Sequence, residues 1–143
     1  MLIYGLSRTG YSESIVALAE AHGLKIVSVG APCSFAHRSC VIANPREWAI
    51  LFSQAKVVVT GMFHGVQLAL LNEALPFYIG SEEKKAKVVD SLSRYGLEQQ
   101  WVNEPGDLGK AVDSSWESEM EEVGQLRRRI ASDSLAWLET QLS

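Results

Sequence analysis

The chain has little cysteine: Cys33 and Cys40 are the only two in 143 residues. That is too few for a disulfide framework and predicts reduced thiols in a cytoplasmic setting. No apolar run approaches the roughly 18–20 residues a membrane span needs. The opening Met1-Leu2-Ile3-Tyr4-Gly5 has neither a basic segment nor a small-residue cleavage site, so no signal peptide is expected. An excess of positive charge is also missing. Thirteen Lys and Arg stand against 17 Asp and Glu, which leaves no broad basic surface for nucleic acid. Internal repeats and low-complexity tracts are lacking too, which excludes solenoids and linkers.

What is present is an ordinary globular composition, 47% hydrophobic and 21% charged. A chain of this length makes one domain, burying about 68–70% of its unfolded surface. Its net charge of −4 is unevenly placed. Basic and acidic side chains cancel through Val112. The tail from Asp113 carries the whole excess, relieved only by Arg127, Arg128 and Arg129. Residues 1–112 are therefore read as an αβ body and 113–143 as C-terminal helices.

Short apolar runs alternate with helical patterns along that body. Leu2-Ile3-Tyr4 reads as a strand, and Ser12 to His22 as a helix with Ile15, Leu18, Ala19 and His22 on one face. Lys25 to Gly30 reads as a second strand, and a loop follows it. Asn44, Pro45 and Glu47 then spell a helix start with a reciprocal cap, and Trp48, Leu51 and Phe52 form its apolar face. Lys56 to Thr60, nearly all β-branched, predicts a strand buried on both faces. His64 to Asn72 returns to helix with Val66, Ala69 and Leu70 inward. Pro76 to Gly80 reads as a fourth strand, Lys84 to Tyr95 as a helix, and Gln100 to Val102 as a short closing strand. From Trp116 the apolar residues Met120, Val123, Leu126, Ile130, Trp137 and Leu138 predict a long amphipathic helix, broken near Asp133. The alternation implies an α/β fold: a Rossmann-like three-layer αβα domain with a mainly parallel sheet and a C-terminal helical segment.

Ligands of open parallel sheets bind beyond the carboxyl ends of the strands. The turn Thr60-Gly61-Met62-Phe63-His64-Gly65 is the first such place, since it follows the most apolar strand and opens a helix whose N-terminus favours an anion. Gly61 and Gly65 let backbone and ligand approach closely. His64 either transfers a proton or contacts a phosphate, or else caps the turn. Arg8, after the first strand, is either a second cation at this edge or a solvated loop charge. Ser81, after the fourth strand, either donates to a ligand or caps a turn. Cys33, His37 and Cys40 do not match a common zinc spacing and lack an evident fourth ligand, so no metal is expected.

Asn44-Pro45-Arg46-Glu47-Trp48, Ala55 to Gly65, Leu68-Ala69-Leu70 and Leu75-Pro76, followed by Lys87 to Leu92 and Gly96-Leu97, resemble the polysaccharide pyruvyl transferase family. The likeness covers roughly Met1 to Val102 and is dense from Asn44 to Leu97. It implies the C-terminal half of a two-domain, glycosyltransferase-B-like protein whose cleft is completed by an N-terminal Rossmann-like domain outside this chain. The implied reaction moves pyruvyl from phosphoenolpyruvate to a sugar of a cell-surface polysaccharide, with no cofactor. His64 is the implied catalytic residue and Lys87 an implied substrate contact; Gly61, Gly65 and Ser81, read from their places at this edge, and Arg8, a candidate substitute for a family cation, complete the candidate substrate-binding set. Lys87 either reaches the cleft or belongs to a solvated helix start with Lys84 and Lys85. The family's turn resembles Arg-x-His, and the arginine position here is Met62, which cannot grip an anion with paired hydrogen bonds. Two other readings therefore stand beside the first: a sugar-nucleotide-binding domain of the same fold, and a non-catalytic interaction domain that lost the arginine. The terminal helix, through Trp116, Met120 and Trp137, either packs on its own domain or meets a partner, and an uncovered stripe would favour self-association.

Overall fold

The computed structural model describes residues 1–6, 8–110 and 116–142. Five strands form one parallel sheet: β1 (Leu2–Tyr4), β2 (Val27–Val29), β3 (Arg38–Cys40), β4 (Val57–Thr60) and β5 (Leu75–Tyr78). Their order across the sheet is β3-β2-β1-β4-β5. Between them run α1 (Ser12–Ala21), α2 (Pro45–Ser53) and α3 (Phe63–Leu71). After β5 come α4 (Lys85–Ser93) and α5 (Trp116–Leu142).

The period-2 geometry of the strands divides the core in two. Ile3, Val57 and Val59 face one layer, where they join Ile15 and Leu18 of α1, Leu92 of α4 and Met120 of α5. Leu2 and Val58 face the other layer with Phe52 of α2, against which Trp48 and Leu51 pack. Helix α3 serves both sides, giving Val66 and Leu70 to the first cluster and Ala69 to the second. The sandwich is thus a three-layer α/β domain. All four residues of β4 are buried, as a β-branched strand with helices on both faces requires.

Several boundaries differ from the sequence reading. The second strand contracts to Val27–Val29, and Arg38–Cys40, read as loop, pairs with it as the edge strand β3. Its residues are polar and largely exposed, so no apolar signal marks them. The strand read at Pro76 to Gly80 is Leu75–Tyr78, fifth in chain order. The helix read from Lys84 is α4, preceded by a 3-10 turn at Glu82–Lys84. In place of a strand at Gln100 to Val102 there is a 3-10 turn, Glu98–Gln100, and a single bridge from Trp101 to Tyr78. The Trp101 ring stacks on that of Tyr78 with centroids 4.9 Å apart, so ring packing holds the segment instead of a ladder.

The boundary between body and tail at 112 and 113 lies outside the described residues. Beyond it α5 is one continuous helix with no break at Asp133. Trp116, Met120 and Val123 are buried on the domain's own core. Glu73, which follows α3 in the left-handed region (φ 58°), pairs its carboxylate with Arg127 and Arg128 and fixes the middle of the helix. The same helical stripe then continues uncovered: Ile130, Trp137 and Leu138 are exposed. No helix among the described residues is long and apolar enough to cross a membrane.

The start of α2 follows the expected pattern fully. Asn44 Oδ1 accepts the Glu47 N–H at 2.9 Å, and Glu47 Oε2 accepts the Asn44 N–H at 2.9 Å. Replacing Asn44 with alanine should cost about 1 kcal/mol, read as a lower urea midpoint at unchanged slope. An unchanged midpoint would show that this cap contributes nothing to stability.

Candidate ligand-binding site

Strand order reverses at β1, with β2 on one side and β4 on the other. The loops after β1 and β4 therefore diverge at the carboxyl edge and open the crevice where ligands of such sheets sit. The turn after β4 is tight because Thr60 Oγ1 accepts the Met62 N–H at 3.0 Å. A Cβ on Gly65 would lie 2.8 Å from Thr60 Cβ and 2.9 Å from its Cγ2. Only glycine lets α3 begin this close to the strand. Gly61 is buried in the same turn.

Helix α3 has no side-chain cap. The N–H groups of Gly65 and Val66 both donate to the Met62 carbonyl, at 2.9 and 3.3 Å. Those of Phe63 and His64 remain as the helix's open donors. His64 is exposed on this first turn, its ring 6.2 Å from that of Phe63. Lys87, reaching across from α4, sets its Nζ 4.2 Å from the Phe63 ring centroid, a cation–π distance. The fold thus brings Lys87 to the turn that carries His64, and Phe63 is the link between them. Sequence spacing gave no sign of Phe63's part; an aromatic residue one position before a helix-opening histidine is the available cue.

Met62 turns toward the other loop. A Cβ on Gly5 would clash with Met62 Cγ and lie 3.4 Å from its Sδ, and Gly5 also has φ 58°. The methionine therefore lies across the switch point, where it joins the two loops by van der Waals contact instead of presenting charge. Arg8 is exposed on the far side of that junction. Its guanidinium carbon lies 5.3 Å from the Tyr11 ring centroid. It lines a cavity of about 310 Å³ between the loops after β1 and β2, and no residue from 60 to 65 contributes to that lining. Arg8 and His64 are thus not brought together around one cavity.

Ser81 is exposed at the end of β5, ahead of the 3-10 turn, and its side chain makes no cap hydrogen bond there. Its carbonyl accepts the Lys84 N–H at 3.1 Å. Tyr78 places its buried hydroxyl near Ser81 and Gly80 without a hydrogen bond of normal geometry. Burial pushes the Tyr78 phenol above its ordinary range, and Ser81 partly offsets the effect. Among the would-be metal ligands, His37 Nδ1 accepts the Ile26 N–H at 3.1 Å, and the described residues hold no cluster of three or more His, Cys, Asp or Glu able to bind a metal.

What the turn after β4 offers chemically is a helix N-terminus with an exposed imidazole beside it. Unspent N–H groups and the helix dipole favour negative charge, with Lys87 held against the neighbouring Phe63 ring.

Gly65→Ala should lower stability by about 1–3 kcal/mol, since α3 must shift to admit the methyl group. A thermal or urea midpoint equal to the parent's would overturn that packing argument. For Tyr78 the sign follows from burial: a phenol held neutral in the folded state stabilises the protein below its unfolded pKa of about 10, and that contribution is lost as pH rises through the folded value. Tyr78→Phe should therefore unfold less readily than the parent above pH ~10. Equal alkaline unfolding curves would count against it. Compared with models of known protein families and with curated proteins, the chain finds no match in either.

Proposed function

We propose that this domain is the C-terminal half of a polysaccharide pyruvyl transferase-like protein and that it binds phosphoenolpyruvate at the turn after β4. Two things support the reading: the run of motifs from Asn44 to Leu97 that resembles the family, and the uncapped start of α3, where exposed His64 follows Phe63 and Lys87 lies against the Phe63 ring. The second observation carries it. Ketal formation needs a proton delivered to the methylene carbon of phosphoenolpyruvate, attack of two sugar hydroxyls on the neighbouring carbon, and departure of phosphate. His64 is the acid or phosphate contact, the open N–H groups of α3 hold anionic oxygen, and Lys87 offsets the phosphate's charge. Gly61 and Gly65 shape the turn, while Ser81, exposed after β5, serves as a further donor. The acceptor sugar and the rest of the cleft come from a second domain, in a cytoplasmic setting, so the isolated chain binds donor but forms little ketal.

The test is an amide-resolved titration of the isotope-labelled chain with phosphoenolpyruvate. Saturable shifts should appear at residues 61–66, and His64→Ala should weaken binding about tenfold, the loss typical of one charge-assisted contact. Shifts there with a nucleotide sugar but not with phosphoenolpyruvate would replace this reading with the sugar-nucleotide one. Silence toward both would favour the non-catalytic domain.

A further inference from the structure

We propose that the cavity between the loops after β1 and β2 is a second, separate binding site, for a small organic anion with one phosphate or carboxylate head and a flat or apolar uncharged body. The inference does not depend on pyruvyl transfer, because the cavity's lining includes neither His64 nor Lys87.

The walls are built before any ligand arrives. On the β2 side, buried Ser28 donates to the Ala31 carbonyl at 3.0 Å and meets Ser39 Oγ at 2.9 Å. Ser39 Oγ in turn accepts the Cys33 N–H at 3.1 Å. This chain of hydroxyls holds the segment from Ala31 to Phe35 over the ends of β2 and β3. On the β1 side, Tyr11 is buried and its hydroxyl donates to the Asn103 carbonyl at 2.7 Å, which anchors the ring on which Arg8 lies. Arg8, exposed beside that ring, offers a guanidinium that can pair two N–H groups with a carboxylate or phosphate.

The contents define the ligand class. Among the described residues that line the cavity, Arg8 alone carries a charge, so the site favours a single anionic head. Leu6, Pro32 and Phe35 provide apolar lining, and Thr9, from the same loop as Arg8, and Ser12, at the start of α1, line it as well. A volume of about 310 Å³ sits at the small end of small-molecule pockets, which run from roughly 300 to 1,000 Å³. The end of β2 also lacks the feature that recognises dinucleotides. There Val29 leads into Gly30-Ala31-Pro32, with no carboxylate to hold a ribose hydroxyl.

Phenyl phosphate, titrated into the isotope-labelled chain, tests the proposal because it carries both halves of the recognised chemistry. Saturable amide shifts should appear at residues 8–12 and 28–35. Inorganic phosphate, lacking the body, and phenol, lacking the charge, should each bind about tenfold more weakly. A parallel titration with benzoate reports whether the head preferred is phosphate or carboxylate. Arg8→Gln, at an exposed position that leaves the fold intact, should weaken phenyl phosphate about tenfold, whereas His64→Ala should leave it unchanged. Phe35→Ala should bring phenyl phosphate down to the affinity of inorganic phosphate. Undiminished binding to Arg8→Gln, shifts confined to residues 61–66, or no saturable shift at all would overturn the proposal. None of these results bears on phosphoenolpyruvate at His64, which has its own titration.

Discussion

The pairing of β1 with β4 is the constraint on which the rest of the molecule depends. Leu2, Ile3 and Tyr4 lie beside Val58, Val59 and Thr60, and this short parallel ladder is where the sheet changes direction. Because β4 is buried on both faces, shifting it by one residue would exchange the layers that Val58 and Val59 occupy. Register is therefore fixed by the core, and with it the height at which the two loops leave the sheet. Gly5 and Met62 meet because Tyr4 and Thr60 are register partners; the contact follows from the ladder, and so does the crevice on either side of it.

The same dependence explains why some of the molecule is legible in its sequence. Val57 to Thr60 announces itself, since no other arrangement buries three consecutive valines so economically. The Asn44-Pro45-Arg46-Glu47 start is equally plain, because capping chemistry is local and involves residues three apart. Arg38–Cys40 is illegible for the opposite reason. Its strand conformation comes from β2 alongside and from the hydroxyls of Ser28 and Ser39, a partnership between residues eleven apart that no local pattern encodes. Trp101 is similar: stacking on Tyr78 holds it at the sheet's edge after a 3-10 turn, so its apolar neighbours mislead when read as a strand.

Candidate site residues divide along the same line. Gly65 and His64 could be read from the strand-turn-helix pattern, because position on that turn decides what they do. The partnership of Lys87 with Phe63 joins two helices and could be guessed only from likeness to a family. Arg8 was visible as a loop cation, but its setting was not. The cavity beside it is made by Tyr11 and by the segment from Ala31 to Phe35, whose hydroxyl anchors become visible only when β3 is in place. A sequence reader attending to metal ligands looks at Cys33, His37 and Cys40 and passes over Phe35 between them.

Met62 bears most directly on chemistry. An arginine at this position would place its guanidinium at the mouth of the crevice, between the two loops. The thioether instead fills that position with apolar contact on Gly5 and leaves the cations at the flanks, Lys87 beside α3 and Arg8 beside α1. Both flanking cations approach aromatic rings, Lys87 of α4 at Phe63 of α3 and Arg8 at Tyr11 before α1, so each is placed by its own ring and neither depends on the other. One central cation would draw a ligand to the midline and couple both loops to it. Two flanking cations separated by a neutral plug favour two smaller anions, each recognised locally. On this view the methionine does more than leave the midline without a charge. It divides the carboxyl edge into two compartments, one beside His64 and one beside Arg8.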